Sequence, residues 1–161
     1  YDLIDRFKEL DVLAFIQPIF IDYDMNIVNE RVGAELAKTS YAWKTMIDKG
    51  VHASIGTDCP VESFNTMPNI YSAVSRKNIT GDEKRVYLPN EKLSMQETIH
   101  AYTVEGAYAS GEENIKGTIT AGKLADFIVL DKDLFNLNSD EEILDTRVLE
   151  TYVDGELVYQ A

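Results

Sequence analysis

The chain has 161 residues, of which 45% are hydrophobic and 27% charged, a composition typical of globular rather than disordered or fibrous proteins. The 28 acidic residues outnumber the 15 basic ones and give a net charge of −13. This argues against nucleic-acid or anionic-membrane binding, because both partners require a basic face. The single cysteine excludes an intrachain disulfide and a thiolate metal cluster, and no apolar run approaches the roughly 20 residues of a membrane span.

The first half of the chain alternates between helical and strand patterns. Apolar spacing predicts a helix over 3–10, a buried strand over 12–20 and, after a long loop, a helix over about 34–49. A second buried strand over 51–58 and a helix over about 67–76 follow. Such alternation predicts a parallel sheet with right-handed crossovers.

A polar linker over 78–92 separates this region from a further helix. Ser94 begins that helix, which continues to about residue 109. Glu97 lies three residues after Ser94, and this spacing predicts a capping box that closes the first turn.

The pattern changes near residue 110. A strand is predicted over 125–131, and a hairpin is predicted around Asp154-Gly155, the strongest short hairpin signal available. The chain is therefore expected to combine an α/β region over 1–110 with a β region over 111–161.

Asp58 is the ionisable residue that stands out. It ends the second predicted strand, and a loop begins directly after it. Ligands and catalytic groups gather at the carboxyl ends of parallel strands, where a carboxylate can bind a divalent metal or transfer a proton. Gly56 leaves space beside it. A structural turn or N-cap aspartate explains the same position equally well.

Four other residues carry weaker signals. Gln17 ends the first strand and could face the same pocket mouth, although plain strand termination is equally consistent. His52 lies about 20 Å from Asp58 at about 3.3 Å per strand residue, so we predict a buried, hydrogen-bonded strand histidine. His100 is predicted to lie on the surface or in helix packing. Cys59 lacks a well-placed base and is predicted to be a packed structural thiol.

Three stretches of the sequence carry a family resemblance. They are IGTDCPVE, AYTVEGAYASG and KGTITAGKLADFIVLDKD. With them the chain resembles the amidohydrolase superfamily, and most closely its family-3 branch of metal-dependent hydrolases, some of which are called exoenzyme regulatory proteins. The pattern GTI followed by GKLAD and an apolar strand is a specific signature of the superfamily.

The resemblance implies a (β/α)8 barrel with a small β-sandwich built from both chain ends. AFIQPIF would be the seventh barrel strand and HASIGTD the eighth, and 111–161 would supply sandwich strands. Asp58 would then match the aspartate that binds metal and acts as base and proton shuttle for the nucleophilic water. The residues implied as substrate contacts on loops at the pocket mouth are Gln17, Asp24, Arg31 and Glu62.

Several parts of the family pattern are absent from this sequence. It has no HxH motif, no bridging lysine and no histidine at the other ligand positions, and a barrel takes about 250 residues. We therefore expect a C-terminal part whose partner is the missing N-terminal part of the same chain. The complete protein is expected to hold a divalent metal, zinc by expectation, and the part alone to be inactive. Its unpaired strand edges would favour a homo-oligomer.

The implied function is a metal-dependent hydrolase that cleaves a non-peptide C–N bond in a small amide-type substrate. The alternative is a non-catalytic regulatory or protein-interaction module that keeps the amidohydrolase fold. A free-standing α/β domain has the least support, because the β region lacks partner strands. No targeting segment is visible in the sequence, so a cytoplasmic location is the default expectation.

Overall fold

The computed structural model describes residues 2–81 and 83–161, leaving out the side chain of Asp2. Seven α-helices occupy these ranges: α1 Asp2–Glu9, α2 Ile21–Asp24, α3 Val28–Val32, α4 Ala34–Ala37, α5 Trp43–Asp48, α6 Met67–Ser75 and α7 Met95–Ala109. The five strands of the described ranges are β1 Ala14–Ile16, β2 Ala53–Ile55, β3 Phe127–Leu130, β4 Val148–Val153 and β5 Glu156–Gln160. Short 3-10 turns lie at Pro18–Phe20, Pro89–Glu91 and Asp140–Ile143.

Strands β1 and β2 form a parallel pair, as the alternating pattern predicts. Ala14 lies opposite Ala53, and Ile16 lies opposite Ile55. Apolar side chains from the surrounding helices and connecting segments pack around the pair and form the first core: Trp43, Val51, Ala73, Leu93 and Ala101. Helix α7 passes close to β2, because a Cβ added at Gly106 would lie 3.7 Å from the Ser54 hydroxyl.

The capping box at the start of α7 is confirmed. The Ser94 hydroxyl accepts a hydrogen bond from the Glu97 backbone N–H at 3.2 Å, and the Glu97 carboxylate accepts one from the Ser94 N–H at 2.8 Å. The two bonds satisfy backbone donors that the first turn leaves unpaired.

Three predicted elements are wrong in length. The strand predicted over 51–58 is only Ala53–Ile55. The strand predicted over 12–20 is only three residues long, because Pro18 begins a 3-10 turn directly after Gln17. The helix predicted over 34–49 is two helices, α4 and α5, and Tyr41 between them adopts a left-handed backbone with φ of 58°. The loop predicted between these elements contains the short helices α2 and α3.

The C-terminal sheet is an antiparallel arrangement in the order β3-β4-β5. The hairpin predicted at Asp154-Gly155 is confirmed, and both residues have positive φ, of 50° and 79°. Two consecutive positive values match the right-handed twist of the flanking strands. Strand β5 is exposed along its whole length.

A second core joins the two regions of the chain. Met67, Ile70 and Tyr71 from α6 pack with Leu134 and Ile143 from the segments around the 3-10 turn Asp140–Ile143. The division near residue 110 therefore stays a prediction, since buried contacts cross it. No helix within the described ranges is both long and apolar enough to cross a bilayer.

Candidate active site at the carboxyl ends of β1 and β2

The two parallel strands end at the same edge of their sheet. The Gly56 N–H donates to the Ile16 carbonyl oxygen at 3.0 Å and extends the pairing by one residue. In this register Gln17 is level with Gly56, and Asp58 follows two residues later. Gln17 and Asp58 therefore both belong to the carboxyl edge, the position where α/β folds collect functional groups.

Asp58 is exposed and has a left-handed backbone with φ of 59°. Its carbonyl oxygen accepts a hydrogen bond from the Val61 N–H at 2.8 Å, so Asp58 opens a tight turn. Aspartate tolerates this conformation better than most residues. The backbone of Asp58 therefore serves a turn, as one of the two interpretations of the sequence held. Its carboxylate is exposed to solvent.

The loop after Asp58 differs from the prediction at one residue. Cys59 is a free, exposed thiol, so the prediction of a packed thiol is wrong. It lies within the turn rather than in β2, and its side chain is therefore outside the core. Glu62 is half-buried farther along the loop. Val61 and Phe64, on the same loop three and six residues after Asp58, are 68% and 84% exposed.

Asp24 and Arg31 lie on the short helices α2 and α3, which follow β1 and the first 3-10 turn. With Tyr41 they line a pocket of about 360 Å³ whose walls include Ile27 and Val28. The Tyr41 hydroxyl donates to the Asp24 carboxylate at 2.5 Å. Burial, with the Asp24 hydrogen bond and charge, raises the pKa of Tyr41 well above its usual range.

Two of the five predicted site residues, Asp24 and Arg31, line one pocket together. Gln17, Asp58 and Glu62 lie on the segments that follow β1 and β2. The side chains described as lining that pocket include Asp24 and Arg31 but none of those three.

Asn69 on α6 is a residue that the sequence analysis missed. It is fully buried, and its Oδ1 accepts from the Ile19 N–H at 2.7 Å. Its Nδ2 donates to the Gly56 carbonyl oxygen at 2.9 Å and also contacts the Tyr102 hydroxyl. The available signal was an amide within the apolar helix MPNIYSAV, because a buried amide requires polar partners.

The two histidines lie together near the amino-terminal end of β2, away from the carboxyl edge. His52 precedes β2; its Nδ1 is 2.8 Å from the Glu105 carboxylate and its ring stacks on Tyr108. The prediction that His52 is hydrogen-bonded is confirmed, although the ring is only partly buried. His100 is exposed, as predicted, and its Nδ1 is 3.7 Å from the second Glu105 oxygen. Both histidines line a cavity of about 460 Å³.

The described residues do not by themselves form a metal site. Within 2–81 and 83–161, no three His, Cys, Asp or Glu side chains are grouped so that they could hold a metal ion. A catalytic zinc needs about three protein ligands, and the carboxyl edge of this chain offers the Asp58 carboxylate. No step of a reaction can therefore be assigned to a metal from these residues alone.

Known proteins resemble this chain along most of its length. The model of the amidohydrolase family matches residues 1–159. YtcJ of Bacillus subtilis, which is named as an amidohydrolase, is 33% identical over 159 residues, or 99% of this chain and 30% of YtcJ. An N-substituted formamide deformylase from Arthrobacter pascens is 34% identical over 117 residues, or 73% of this chain and 21% of the deformylase.

The fold is also similar to that of a solved structure. A crystal structure of an uncharacterized metal-dependent hydrolase from Pyrococcus furiosus superposes with a TM-score of 0.71 at 32% identity, covering 84% of this chain and 26% of that one. The chain thus spans less than a third of the length of each of these three proteins. The family match nevertheless covers nearly every residue of the sequence, and the chain belongs to the amidohydrolase family.

Proposed function

We propose that this chain supplies strands seven and eight of a (β/α)8 barrel, followed by strands of a small β-sandwich, in a metal-dependent hydrolase of amide-type C–N bonds. The observation that carries the proposal is the exposed Asp58 carboxylate at the carboxyl end of β2, beside a parallel neighbour strand. Membership of the amidohydrolase family supports the reaction class.

Asp58 has the chemistry to move the proton in such a hydrolysis. Its carboxylate takes a proton from the attacking water as the oxygen bonds to the amide carbon, and returns it to the nitrogen as the C–N bond breaks. Water and amide are thereby converted into a carboxylic acid and an amine. The proposal includes a divalent metal, zinc, whose other ligands come from outside the described residues, so the chain alone is expected to be inactive.

The substrate class is proposed from the loop after Asp58 and from the name of one relative. The name of the Arthrobacter relative supports an N-substituted formamide. The exposed Val61 and Phe64, on the loop that follows Asp58, are proposed to contact an apolar substituent. Gln17 and Glu62, on the segments that follow the two strands, are proposed to bind the polar part of the substrate. Asp24 and Arg31 are proposed as contacts for a more distant part of it.

The partner of this chain in the proposal is the remainder of the barrel. Phe15 of β1 is 63% exposed although both of its strand neighbours are buried. An additional barrel strand beside β1 or a helix over this face would cover it. Without such cover, the open strand edges favour self-association into a homo-oligomer.

The test is formate release from formanilide by the complete protein that carries this chain. Asp58→Asn keeps the side-chain shape and tolerates positive φ, but it cannot accept the proton. We expect kcat to fall about 10²- to 10⁴-fold, the range for loss of a general acid–base group.

Asp11→Asn is the matched control for this test. Asp11 is also an exposed aspartate with positive φ, of 52°, but it lies before β1, at the other end of the strands. It should leave kcat within about twofold. If Asp58→Asn also left kcat unchanged, Asp58 would not be the group that transfers the proton, and its proposed catalytic role would be wrong.

A further inference from the structure

We infer that Asn69 is a positioning residue that fixes the two strand ends presenting Gln17 and Asp58. The inference rests on the proposed function, since it gives Asn69 a purpose only where Asp58 acts on a substrate. Asn69 lies on α6 and is fully buried, so its amide is not placed to touch a substrate itself.

The Asn69 amide joins one backbone group from each strand end. The Ile19 N–H, two residues after Gln17, donates to Oδ1 at 2.7 Å. The Gly56 carbonyl oxygen, two residues before Asp58, accepts from Nδ2 at 2.9 Å. One side chain therefore fixes the positions of both strand ends relative to α6.

This arrangement requires both a donor and an acceptor at the tip of a short side chain. An amide provides both in one plane, whereas a carboxylate lacks the donor and would face the Gly56 carbonyl oxygen with a second acceptor. Serine is too short to reach both strands. Loss of the amide leaves buried backbone groups unpaired, and unpaired groups move toward new partners or water. The expected result is a displaced Asp58 rather than a mere loss of one contact.

Tyr102 provides a matched control within the same cluster. Its hydroxyl meets Asn69 Nδ2, but it belongs to α7 and contacts neither strand end through this bond. Burial raises the pKa of Tyr102 to about 12, so the hydroxyl stays neutral. Tyr102→Phe removes one polar contact of Asn69 and leaves both of its backbone bonds in place.

The experiment measures kcat and KM for formanilide with the complete protein, at a temperature where each variant is folded. Asn69→Ser should lower kcat about 10- to 100-fold with KM within about twofold, because misplacement of a reacting group by about 1 Å costs rate rather than binding. Tyr102→Phe should lower the melting temperature but keep kcat within about twofold. If Asn69→Ser does not fold, Asn69→Asp is measured in its place, because it keeps the length and the acceptor for Ile19.

The outcomes separate this inference from the proposed function. An active protein in which Asp58→Asn lowers kcat and Asn69→Ser does not would overturn the inference and leave the function intact. If the wild-type protein releases no formate, the proposed substrate is wrong. The positioning role of Asn69 is then tested by comparing crystal structures of the wild-type protein and Asn69→Ser. A shift of Asp58 relative to Gln17 of more than about 0.5 Å in Asn69→Ser supports positioning, and an unmoved Asp58 overturns it.

Discussion

The two sheets of this chain are built from similar apolar residues but are buried very differently. In the parallel pair, Ile16 and Ile55 are almost completely covered by helices. In the C-terminal sheet, Leu157 and Val158 of β5 are about half exposed, and every residue of β5 faces solvent to a large extent. The parallel pair is therefore stabilised by packing within the chain, whereas the C-terminal sheet depends more on strand pairing and on its tight hairpin.

The contrast extends to buried polar groups. Asn69, Arg76 and Glu91 of the first region are nearly inaccessible, and each is bonded to backbone or side-chain groups from another element. The C-terminal region buries mainly Thr146 in this way. Buried polar networks specify one arrangement, so the first region is expected to be the more rigid of the two.

The largest expected effect compares the two kinds of strand directly. Ile55→Ala should lower the free energy of unfolding by about 2–5 kcal/mol, because Ile55 is 6% exposed and its loss leaves a cavity. Leu157→Ala removes a similar volume from a side chain that is 48% exposed and should cost less than about 1 kcal/mol. Denaturant unfolding of the complete protein measures both. Equal losses of unfolding free energy would mean that another part of the complete protein covers β5. The contrast in burial between the two sheets would then not hold in the complete protein.

The second prediction concerns the buried arginine. Arg76 donates to the carbonyl oxygens of Tyr41 and Tyr87, and its guanidinium lies 4.6 Å from the Trp43 ring centroid. Burial lowers its pKa to about 10. A lysine cannot donate to both carbonyl oxygens in the planar geometry of a guanidinium, and it stacks less well on the Trp43 ring. Arg76→Lys should therefore lower the free energy of unfolding by about 2–3 kcal/mol.

Arg147→Lys is the control for Arg76→Lys. Arg147 is exposed beside the C-terminal sheet, and its exchange should change the unfolding free energy by less than about 0.5 kcal/mol. Thermal and denaturant unfolding measure both variants. A similar small change for Arg76→Lys would contradict a structural role for the buried guanidinium.

The third prediction tests the junction between the regions. Gly117 has φ of 89°, and an added Cβ would lie 2.7 Å from the Ala107 Cβ of α7. Gly122 has φ of 94° but no atom within 4 Å of such a Cβ. Both alanine variants carry the same backbone strain, so Gly117→Ala should cost about 1–3 kcal/mol more, from overpacking against α7. Equal melting temperatures for Gly117→Ala and Gly122→Ala would show that α7 and the segment around Gly117 can move apart at little energetic cost.

The smallest expected effect depends on pH. Burial alone would raise the pKa of Glu97, but hydrogen bonds from Ser94 and the Lys44 ammonium outweigh it and lower the pKa below the ordinary 4.5. The folded state therefore favours the charged carboxylate. Its stabilisation is present above the ordinary pKa and is lost as pH falls through the lowered value.

Glu97→Gln should therefore lower stability by about 0.5–1 kcal/mol at neutral pH, and the difference from wild type should shrink at pH below about 4. Glu156→Gln on the exposed β5 removes the same charge and should leave neutral stability within about 0.5 kcal/mol. Denaturant melts at several pH values measure these differences. A Glu97→Gln deficit that grows in acid would contradict the assigned sign.

Local signals in the sequence were sufficient for part of the fold. The Ser94–Glu97 spacing, the Asp154-Gly155 turn and the apolar runs around Ile16 and Ile55 each act over a few residues, and they predict the α7 capping box, the hairpin and the parallel pair. The break between α4 and α5 could not be predicted in this way. It depends on Tyr41, whose carbonyl oxygen is held by the distant Arg76.

The same distinction applies to the candidate site. The place of Asp58 at a strand end follows from the local pattern, and its roles in metal binding and catalysis stay predictions. The Asn69 amide and the pocket shared by Asp24 and Arg31 could not be predicted, because each depends on contacts between segments far apart in the chain. Asn69 joins Ile19 and Gly56 across 50 and 13 positions of sequence.

The left-handed backbone of Asp58 has a consequence for how such proteins can change over evolution. At this φ, asparagine and glycine fit with little strain, whereas alanine or a β-branched residue costs about 1–2 kcal/mol. Under the catalytic role proposed for Asp58, a single exchange to asparagine or glycine would therefore abolish hydrolysis and leave the turn and the fold intact. Family members with those residues at this position would be natural candidates for descendants that kept the scaffold for another use.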